Sequence, residues 1–256
     1  MSKILKYSHS SVYWTIINLL LLCFFIFSCG SDDLCGEYYE LYGAPYNNCD
    51  LDAIQTLVDS CFYSDFPYLN FGSQEWVDGH LVRLNLGSGD WSLFCEYPEE
   101  IALLDHLTHL NLDNTQISGL PHNMGNLTVL EDLSLNNNLI TALPESIGEL
   151  EYLKVLNSAN NQLTALPMSI TQLSSLEILR LDDNSLTSLP ENIGQLSSLN
   201  YLDITNNQLS HLPEGICNII DQLDSFYISD NQLCDPDNYP QCVEPYINNY
   251  GQQICE

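Results

Sequence analysis

Leucine and isoleucine recur along the chain in one fixed register. Five copies of the pattern begin 23 residues apart, at Leu107, Leu130, Leu153, Leu176 and Leu199. Within each copy apolar and polar residues alternate, as at Leu133 and Leu135, and this period of two predicts a short strand with one buried face. Because a single coil cannot bury its apolar face alone, the repeat predicts stacked coils that share a continuous parallel sheet.

After each strand the copies continue with a polar turn and a Leu-Pro pair. Thr115 occupies the turn position in the copy that begins at Leu107, and asparagine occupies it in the later copies. These asparagines are Asn138, Asn161, Asn184, Asn207 and Asn231. Their amides are predicted to pair with backbone groups of their own and the adjacent coil. The Leu-Pro pair predicts an extended, non-helical return.

These copies resemble the 23-residue class of the leucine-rich repeat family, written LxxLxLxxNxLxxLPxxIGxL, over about Leu81 to Leu233. The resemblance implies an α/β-type solenoid, an arc with a parallel β-sheet on its concave face. We divide the chain into a signal peptide (1–28), an acidic tether and Cys-rich N-terminal cap (29–79), the repeats (80–233) and a Cys-containing C-terminal cap (234–256).

The first 28 residues are typical of an export signal. Two lysines precede a largely apolar stretch, Thr15 to Phe27, which is shorter than the ~20 residues that a helix needs to span a bilayer. The sequence Ile26-Phe27-Ser28-Cys29 resembles the lipobox of bacterial lipoproteins, so Cys29 is the predicted lipidation site.

The acidic residues after Cys29 resemble the tether that sends some lipoproteins of Gram-negative bacteria to the outer face of the outer membrane. We therefore predict an exported protein at the cell outer membrane or cell surface, held by a lipid anchor rather than a transmembrane helix. Secretion after cleavage at Ser28 is the alternative.

Both ends of the repeat array carry sequence that is typical of caps. Apolar residues at helical spacing predict a helix over Asp50 to Cys61, with Asp50 as a possible N-cap. It resembles the helical cap that precedes extracellular leucine-rich repeats. His80 to Leu86 is the predicted first strand, and Val243 to Tyr250 is predicted to lie over the last coil as a short terminal turn.

Eight cysteines after Cys29 fall into two groups of four that flank a cysteine-free stretch, residues 96–216. They are Cys35, Cys49, Cys61 and Cys95 on one side, and Cys217, Cys234, Cys242 and Cys255 on the other. In an exported chain this arrangement predicts disulfides within each cap, and nine pairings remain open. A zinc site is the disfavoured alternative, because no CxxC pair occurs.

Acidic residues dominate the charge. The chain has 34 acidic and five basic residues, and Lys3 and Lys6 belong to the predicted signal, so the remaining chain carries a net charge of −31. Such a charge repels nucleic acid and anionic lipid and favours cationic partners or divalent ions. Plain solubility in a salty medium is the favoured explanation of this charge.

No catalytic motif occurs: the sequence lacks GxSxG, HExxH and a Gly-rich phosphate loop, so neither an enzyme nor a cofactor is predicted. His106 and His109 are close in sequence and are interpreted as surface residues. Asp182, Asp183 and Asp203 lack the loop pattern of a calcium site, and no metal site is predicted.

Binding is the remaining function. Alternation places one column of side chains on the concave face at Arg83, His109, Asp132, Val155, Ile178, Tyr201 and Ser225, and a second at Asn85, Asn111, Ser134, Asn157, Arg180, Asp203 and Tyr227. The candidate ligand-binding residues are Val155, Ile178, Arg180, Tyr201, Asp203 and Tyr227. We predict a non-catalytic module that binds a protein or surface polymer; the alternative is a structural component of the cell envelope without a specific ligand.

Overall fold

The computed structural model of the chain describes residues 38–41, 44–61, 72–87, 99–250 and 253–254. The predicted signal peptide, Cys29 and the acidic tether lie outside the described residues, as do Cys35, Cys95 and Cys255. Cys49 and Cys61 lie in a helix whose side chains at these positions are also outside the description. Within the described ranges, no helix has the length and hydrophobicity needed to cross a bilayer.

The repeats form one sheet of eight strands over the described part of the chain, and the strand order follows the sequence. The strands are β3 (Ser73–Val77), β4 (His80–Asn85), β5 (His109–Asn111), β6 (Asp132–Ser134), β7 (Val155–Asn157), β8 (Ile178–Arg180), β9 (Tyr201–Asp203) and β10 (Ser225–Tyr227). Strands β4 to β10 are parallel, one for each coil, which confirms the solenoid that the repeat period predicts.

A continuous apolar core runs behind this sheet. The middle residue of each parallel strand points inward and is buried, as Leu133, Leu156 and Leu179 show with no exposed surface. Burying a side chain of this size stabilises the fold by about 1.5–3 kcal/mol relative to leaving it exposed. Ser158 is also fully buried, in the inward position that Leu135 and Leu181 fill in the flanking coils.

The returns differ from the predicted extended conformation. The prolines of the Leu-Pro pairs are extended, with ψ of 151° at Pro144 and 147° at Pro167, but a short 3-10 turn follows each of them. Equivalent turns lie at Met124–Asn126, Glu145–Glu149, Met168–Gln172, Ile193–Gln195 and Glu214–Asn218. Proline cannot donate a backbone hydrogen bond, and it suits the position before a turn, where its own N–H would have no partner.

The turn asparagines form a hydrogen-bonded ladder that joins neighbouring coils, as predicted. The Asn184 amide donates to the carbonyl of Ser158 in the preceding coil (2.9 Å) and to the carbonyls of Leu181 (3.1 Å) and Asp182 (3.2 Å) in its own. Its Oδ1 accepts from the N–H of Leu163 (3.0 Å). One side chain therefore satisfies backbone groups in two coils at once.

The ladder has a defined start and end. Thr115, fully buried, donates its hydroxyl to the Leu112 carbonyl (2.7 Å), and its N–H donates to Asn138 Oδ1 (3.1 Å). After Asn231, Gln253 takes the next place: its Oε1 accepts from Leu233 N–H (3.3 Å) and its amide donates to the Ile228 carbonyl (3.2 Å). The C-terminal cap thus supplies the last rung.

The N-terminal cap consists of a hairpin and a helix. Strands β1 (Tyr38–Leu41) and β2 (Ala44–Asn47) pair antiparallel, and α1 (Asn48–Cys61) follows directly. The helix confirms the predicted one, but its N-cap is Asn47, whose Oδ1 accepts from Asp50 N–H (3.3 Å). Asp50 was the wrong candidate for the cap, since its carboxylate accepts instead from the N–H of Leu81 (2.7 Å), at the start of the first coil.

The C-terminal cap covers the last coil with α2 (Glu244–Tyr250). Ile247 and Val243 are buried in the core, and the Tyr246 ring packs edge-on against Phe226 of β10 with ring centroids 5.1 Å apart. A disulfide joins Cys217 in the last return to Cys242 beside α2. Cys234 is also disulfide-bonded. The cap is therefore linked covalently to the repeat array.

Candidate functional site on the concave face

The sheet register places the candidate side chains in the two predicted columns. Val155 pairs with Ile178, and Ile178 with Tyr201; in the neighbouring column Arg180 pairs with Asp203. Asp203 in turn pairs with Tyr227. Strands β5 to β9 are held on both sides by parallel pairing and from behind by buried leucines, whereas β10, which carries Tyr227, is an edge strand paired only with β9.

Apolar and aromatic groups form a solvent-accessible strip in this half of the face, which we call the apolar strip: Val155, Ile178, Tyr201 and Tyr227. The first three are partly exposed, and Tyr227 is 48% exposed. The rings of Tyr201 and Tyr227 lie against each other with centroids 5.6 Å apart. Two adjoining aromatic rings at a partly exposed surface offer a large contact area that loses little side-chain entropy on binding.

Acidic groups surround the apolar strip. Arg180 lies beside it, but its Nε is 3.5 Å from Asp182 Oδ1, so an acidic neighbour offsets its charge. Burial, and then the nearby Asp203, raise the pKa of Asp182 above its ordinary value. The same two causes raise the pKa of the Tyr201 hydroxyl, in the same order. The carboxylates of Asp203 and Asp182 thus add to the effect of burial at Tyr201.

The two other basic residues of the repeats are also paired with carboxylates. Lys154 Nζ lies 2.8 Å from Glu131 Oε2, and Arg83 Nε lies 3.3 Å from Glu75 Oε2. These pairs are partly exposed, so each contributes little to stability. Each described lysine or arginine of the repeats therefore has a carboxylate beside it, and none presents an isolated positive charge.

The concave face also has a depression that lies nearer the N-terminus than the predicted site. This depression of about 470 Å³ is lined by Glu75, Arg83, His109 and Asp132, and it reaches the candidate residues only at Val155. Burial lowers the pKa of His109, and the Arg83 charge lowers it further. Burial raises the pKa of Asp132. The depression therefore presents polar and charged groups to a ligand, whereas the apolar strip presents apolar and aromatic contact surface.

Sequence reasoning missed this depression because part of its wall comes from outside the repeats. Glu75 lies on β3, an antiparallel strand that precedes the first coil. Asp78-Gly79 joins β3 to β4 with both residues at positive φ, 50° and 91°. Asp-Gly between two β-forming segments is a strong signal for a two-residue hairpin turn, and it is visible in the sequence.

Asp182 and Asp183, which were considered as calcium ligands, each interact with a neighbouring side chain in the structure. Asp183 stands in the left-handed region with φ of 57°, and its Oδ1 accepts from the Asn206 side chain. Asp182 lies beside Arg180. His109 also does not pair with His106, since it faces the depression while the His106 ring stacks on His80.

Comparisons with known proteins agree with this architecture. Three family models match: "Leucine-rich repeat region" at residues 122–185, "Leucine rich repeat" at residues 174–233 and "Leucine Rich Repeat" at residues 106–127. Together they cover residues 106–233, half of the chain. No curated protein matches the sequence at a significant level.

Solved structures share the fold. A leucine-rich repeat protein of Leptospira interrogans is 33% identical, with a TM-score of 0.55, over 61% of this chain and 41% of that one. The Arabidopsis receptor kinase HAESA, solved with the peptide hormone IDA and the co-receptor SERK1, is 23% identical with a TM-score of 0.55, over 68% of this chain and 31% of that one.

This chain thus matches less than half the length of either solved protein. The 23-residue register, the asparagine ladder and the matching family models together show that the chain belongs to the leucine-rich repeat family.

Proposed function

We propose that the repeat arc is a non-catalytic protein-binding module at the cell envelope. The observation that carries this proposal is the apolar strip, in which Val155, Ile178 and Tyr201 are neighbours on three successive strands and Tyr227 packs beside Tyr201. Aromatic side chains surrounded by polar groups are the usual anchors of a protein interface. The strip stands on parallel strands, so little rearrangement is needed when a partner binds.

Charge defines the partner more closely. Glu177 directly precedes β8, Asp182 follows it after one residue and Asp203 ends β9, and Arg180 is paired with Asp182. An aromatic or aliphatic side chain flanked by lysine or arginine on the partner complements this surface, because the apolar group fills the strip and the basic groups meet the carboxylates. The partner is therefore a protein whose contacting segment is basic and carries an apolar anchor.

Export and anchoring belong to the same proposal. Support comes from the lipobox-like Ile26 to Cys29, the apolar stretch before it and the acidic residues after it. A single acyl chain binds a membrane only marginally, whereas two or more give stable attachment. Multiple acylation at Cys29, as in the bacterial lipoproteins that this segment resembles, gives the module stable attachment to the membrane.

Site-specific photo-crosslinking tests the binding face. A photoreactive phenylalanine in place of Tyr227, 48% exposed on the concave face, is compared with the same group in place of Tyr152, which is 58% exposed and lies outside the strands. The proposal predicts that one discrete protein adduct forms from position 227 on native cells and is absent from position 152. Equal adducts at both positions, or adducts at 152 alone, contradict it.

A further inference from the structure

We propose that His80, Asp105 and His106 form a binding site for a divalent transition-metal ion, with Zn²⁺ as the ion that their donor atoms fit. Their potential ligand atoms lie within 4.8 Å of one another. Among the described residues, this is the one group of three histidine, cysteine or acidic side chains that could hold a metal ion. The site lies at the junction of the N-terminal cap and the first coils. It is separate from the apolar strip.

The sheet register explains why the two histidines meet. Arg83 on β4 pairs with His109 on β5, and His80 and His106 each lie three residues earlier. They therefore occupy the same place in consecutive coils, and their rings stack with centroids 3.7 Å apart and planes inclined by 18°. Asp105 Oδ1 lies 2.6 Å from His106 Nδ1. Two imidazoles and a carboxylate are thus held together by the backbone of the solenoid.

The donor atoms select the class of metal. Calcium and magnesium take mostly oxygen ligands, whereas imidazole nitrogen suits zinc and its neighbours in the first transition row. Ligand atoms around a tetrahedral zinc lie roughly 3.4 Å apart, given bonds of about 2.1 Å. The side chains of His106 and Asp105 are 51% and 66% exposed, so both can rotate to close the site. Three protein ligands leave the fourth position to water.

Asp50 adds a second, independent feature of a metal site. Its side chain is 1% exposed, and Oδ2 lies 3.6 Å from His80 Nδ1. Metal-binding histidines almost always donate their second ring N–H to a carboxylate or carbonyl, which fixes the ring orientation. Asp50 is in turn held by the N–H of Leu81. We assign Asp50 as the positioning residue that directs the opposite nitrogen of His80 to the ion.

An ion at this place joins three segments of the fold. Asp50 belongs to α1, His80 begins β4, and Asp105 and His106 precede β5. Binding therefore links the cap helix to the first two coils. A ligand that binds the folded protein and not the unfolded chain raises the unfolding temperature, so occupancy stabilises the N-terminal end.

The test is a calorimetric titration of the purified protein with Zn²⁺, after treatment with chelator, with disulfides intact and free thiols blocked. We expect one saturable equivalent and a rise in the unfolding temperature. His106→Ala and Asp105→Asn should each lose at least about tenfold in affinity. His211→Ala, which removes an exposed histidine of a distant coil, should change nothing. Co²⁺ binding gives a tetrahedral absorption spectrum that His106→Ala abolishes.

The variant Asp50→Asn distinguishes a role of Asp50 in orienting His80 from a role in stabilising the fold. Asparagine keeps an oxygen that accepts from Leu81 N–H, so the metal-free unfolding temperature should stay close to that of the wild type. Zinc affinity should nevertheless fall about tenfold or more, because the amide no longer orients His80 through a charged acceptor. Absence of saturable zinc binding, or binding that His106→Ala and Asp105→Asn leave intact, overturns the proposal.

Discussion

At the scale of single residues, the two side chains at each turn have different tasks. The first stands at positive φ, for example 51° at Asn160 and 57° at Asp183, where only glycine, asparagine and aspartate are commonly tolerated. The second, such as Asn161 or Asn184, turns inward and joins the ladder. The recurring pair of Asn or Asp followed by Asn is thus a backbone requirement, and it accounts for Asp183 without a bound ion.

Removing one rung should destabilise the array. Asn161→Ala removes the side-chain acceptor of the Ile140 N–H (3.0 Å) and one of two amide donors to the Leu135 carbonyl, which keeps its bond from Asn138 (2.9 Å). Each buried group left unsatisfied costs about 1–3 kcal/mol. We expect a clear loss in the free energy of unfolding, measured by urea denaturation. Asn160→Gly, at the neighbouring exposed turn position, is the matched control and should change little; a larger effect there than at Asn161 would contradict the ladder.

Ser158 offers the opposite change. It is fully buried where Leu135 and Leu181 stand in the flanking coils, and its hydroxyl accepts one long hydrogen bond of 3.4 Å from the Asn161 amide. Ser158→Leu replaces a buried hydroxyl by apolar volume, so the unfolding temperature should rise. Ser158→Ala removes the hydroxyl without adding volume and should raise it less. An unchanged or lower unfolding temperature in the leucine variant would show that the core has no room there.

At the scale of elements, the parallel strands were predictable because the repeat has a strict period. The hairpin before the first coil and the turns in the returns were not predicted. Leucine spacing predicted every parallel strand, because burial of one face fixes the register of a strand. The hairpin β3–β4 was missed although Asp78-Gly79 indicates it, since the repeat register begins only at its second strand. The 3-10 turns after Pro144 and Pro167 were missed because proline was taken to favour an extended return throughout.

The candidate site likewise has features that the repeat register predicts and features that depend on contacts outside the repeats. Alternation alone predicted both columns of the concave face, and pairing such as Ile178 with Tyr201 confirms them. The stacking of His80 on His106 could also have been read from the register, which places both at one position in consecutive coils. It was missed because closeness in sequence, at His106 and His109, was considered instead. The wall of the depression at Glu75 depends on tertiary pairing with β4.

The disulfide between Cys217 and Cys242 should matter locally. It closes a loop across a sequence separation of 25 residues and ties the C-terminal cap to the last return. Loss of a native disulfide typically costs about 2–5 kcal/mol. In hydrogen exchange, Cys217→Ser with Cys242→Ser should expose the amides near Ile216 and Val243 first. Strand amides of the middle coils, such as Leu156, serve as the internal control, and a uniform loss of protection would refute local linkage.

At the scale of the whole molecule, negative charge and one apolar strip act together. The described lysine and arginine residues of the repeats each lie near a carboxylate, as Lys154 does to Glu131. The proposed function therefore predicts that a basic partner is attracted over the whole face, while the strip decides where its anchor binds. Attraction between exposed charges is screened beyond about 8 Å at physiological ionic strength. Added salt should slow association more than it speeds dissociation.

Truncation of the strip should weaken binding without unfolding the protein. Tyr201→Ala with Ile178→Ala removes two anchors that point away from the leucine core, and each anchor typically contributes more than about 1 kcal/mol. We expect partner recovery from cell-surface material to fall at least several-fold while the unfolding temperature changes little.

The matched control for this pair is Gln172→Ala with Gln195→Ala, exposed residues in the returns of the same region. Ser146 and Ser169 also lie in the returns, but they are a less suitable control pair because their hydroxyl oxygens are buried. Binding that falls with the control pair and persists with the concave pair would move the site to the other face of the arc.

Anchoring is tested by fractionation. Cys29→Ser removes the predicted acylation site, so the protein should move from the membrane fraction to the soluble fraction, and acyl mass should be absent from its N-terminus. Cys23→Ser, within the predicted signal, is the control and should leave fractionation unchanged. If Cys29→Ser fractionates as the wild type does, and the wild type carries no acyl mass, secretion after Ser28 is the better account.

The ladder also bears on how such a gene can change over generations. Its bonds connect equivalent positions one coil apart, as from Asn161 to Leu135 and from Asn184 to Ser158. A recombination event that joins Tyr152 directly to Leu176 removes one whole copy, and Asn184 then faces the donor and acceptor that Asn161 had faced. Gain or loss of 23 codons therefore changes the length of the array and the reach of its binding face, while both caps and every remaining rung keep their partners.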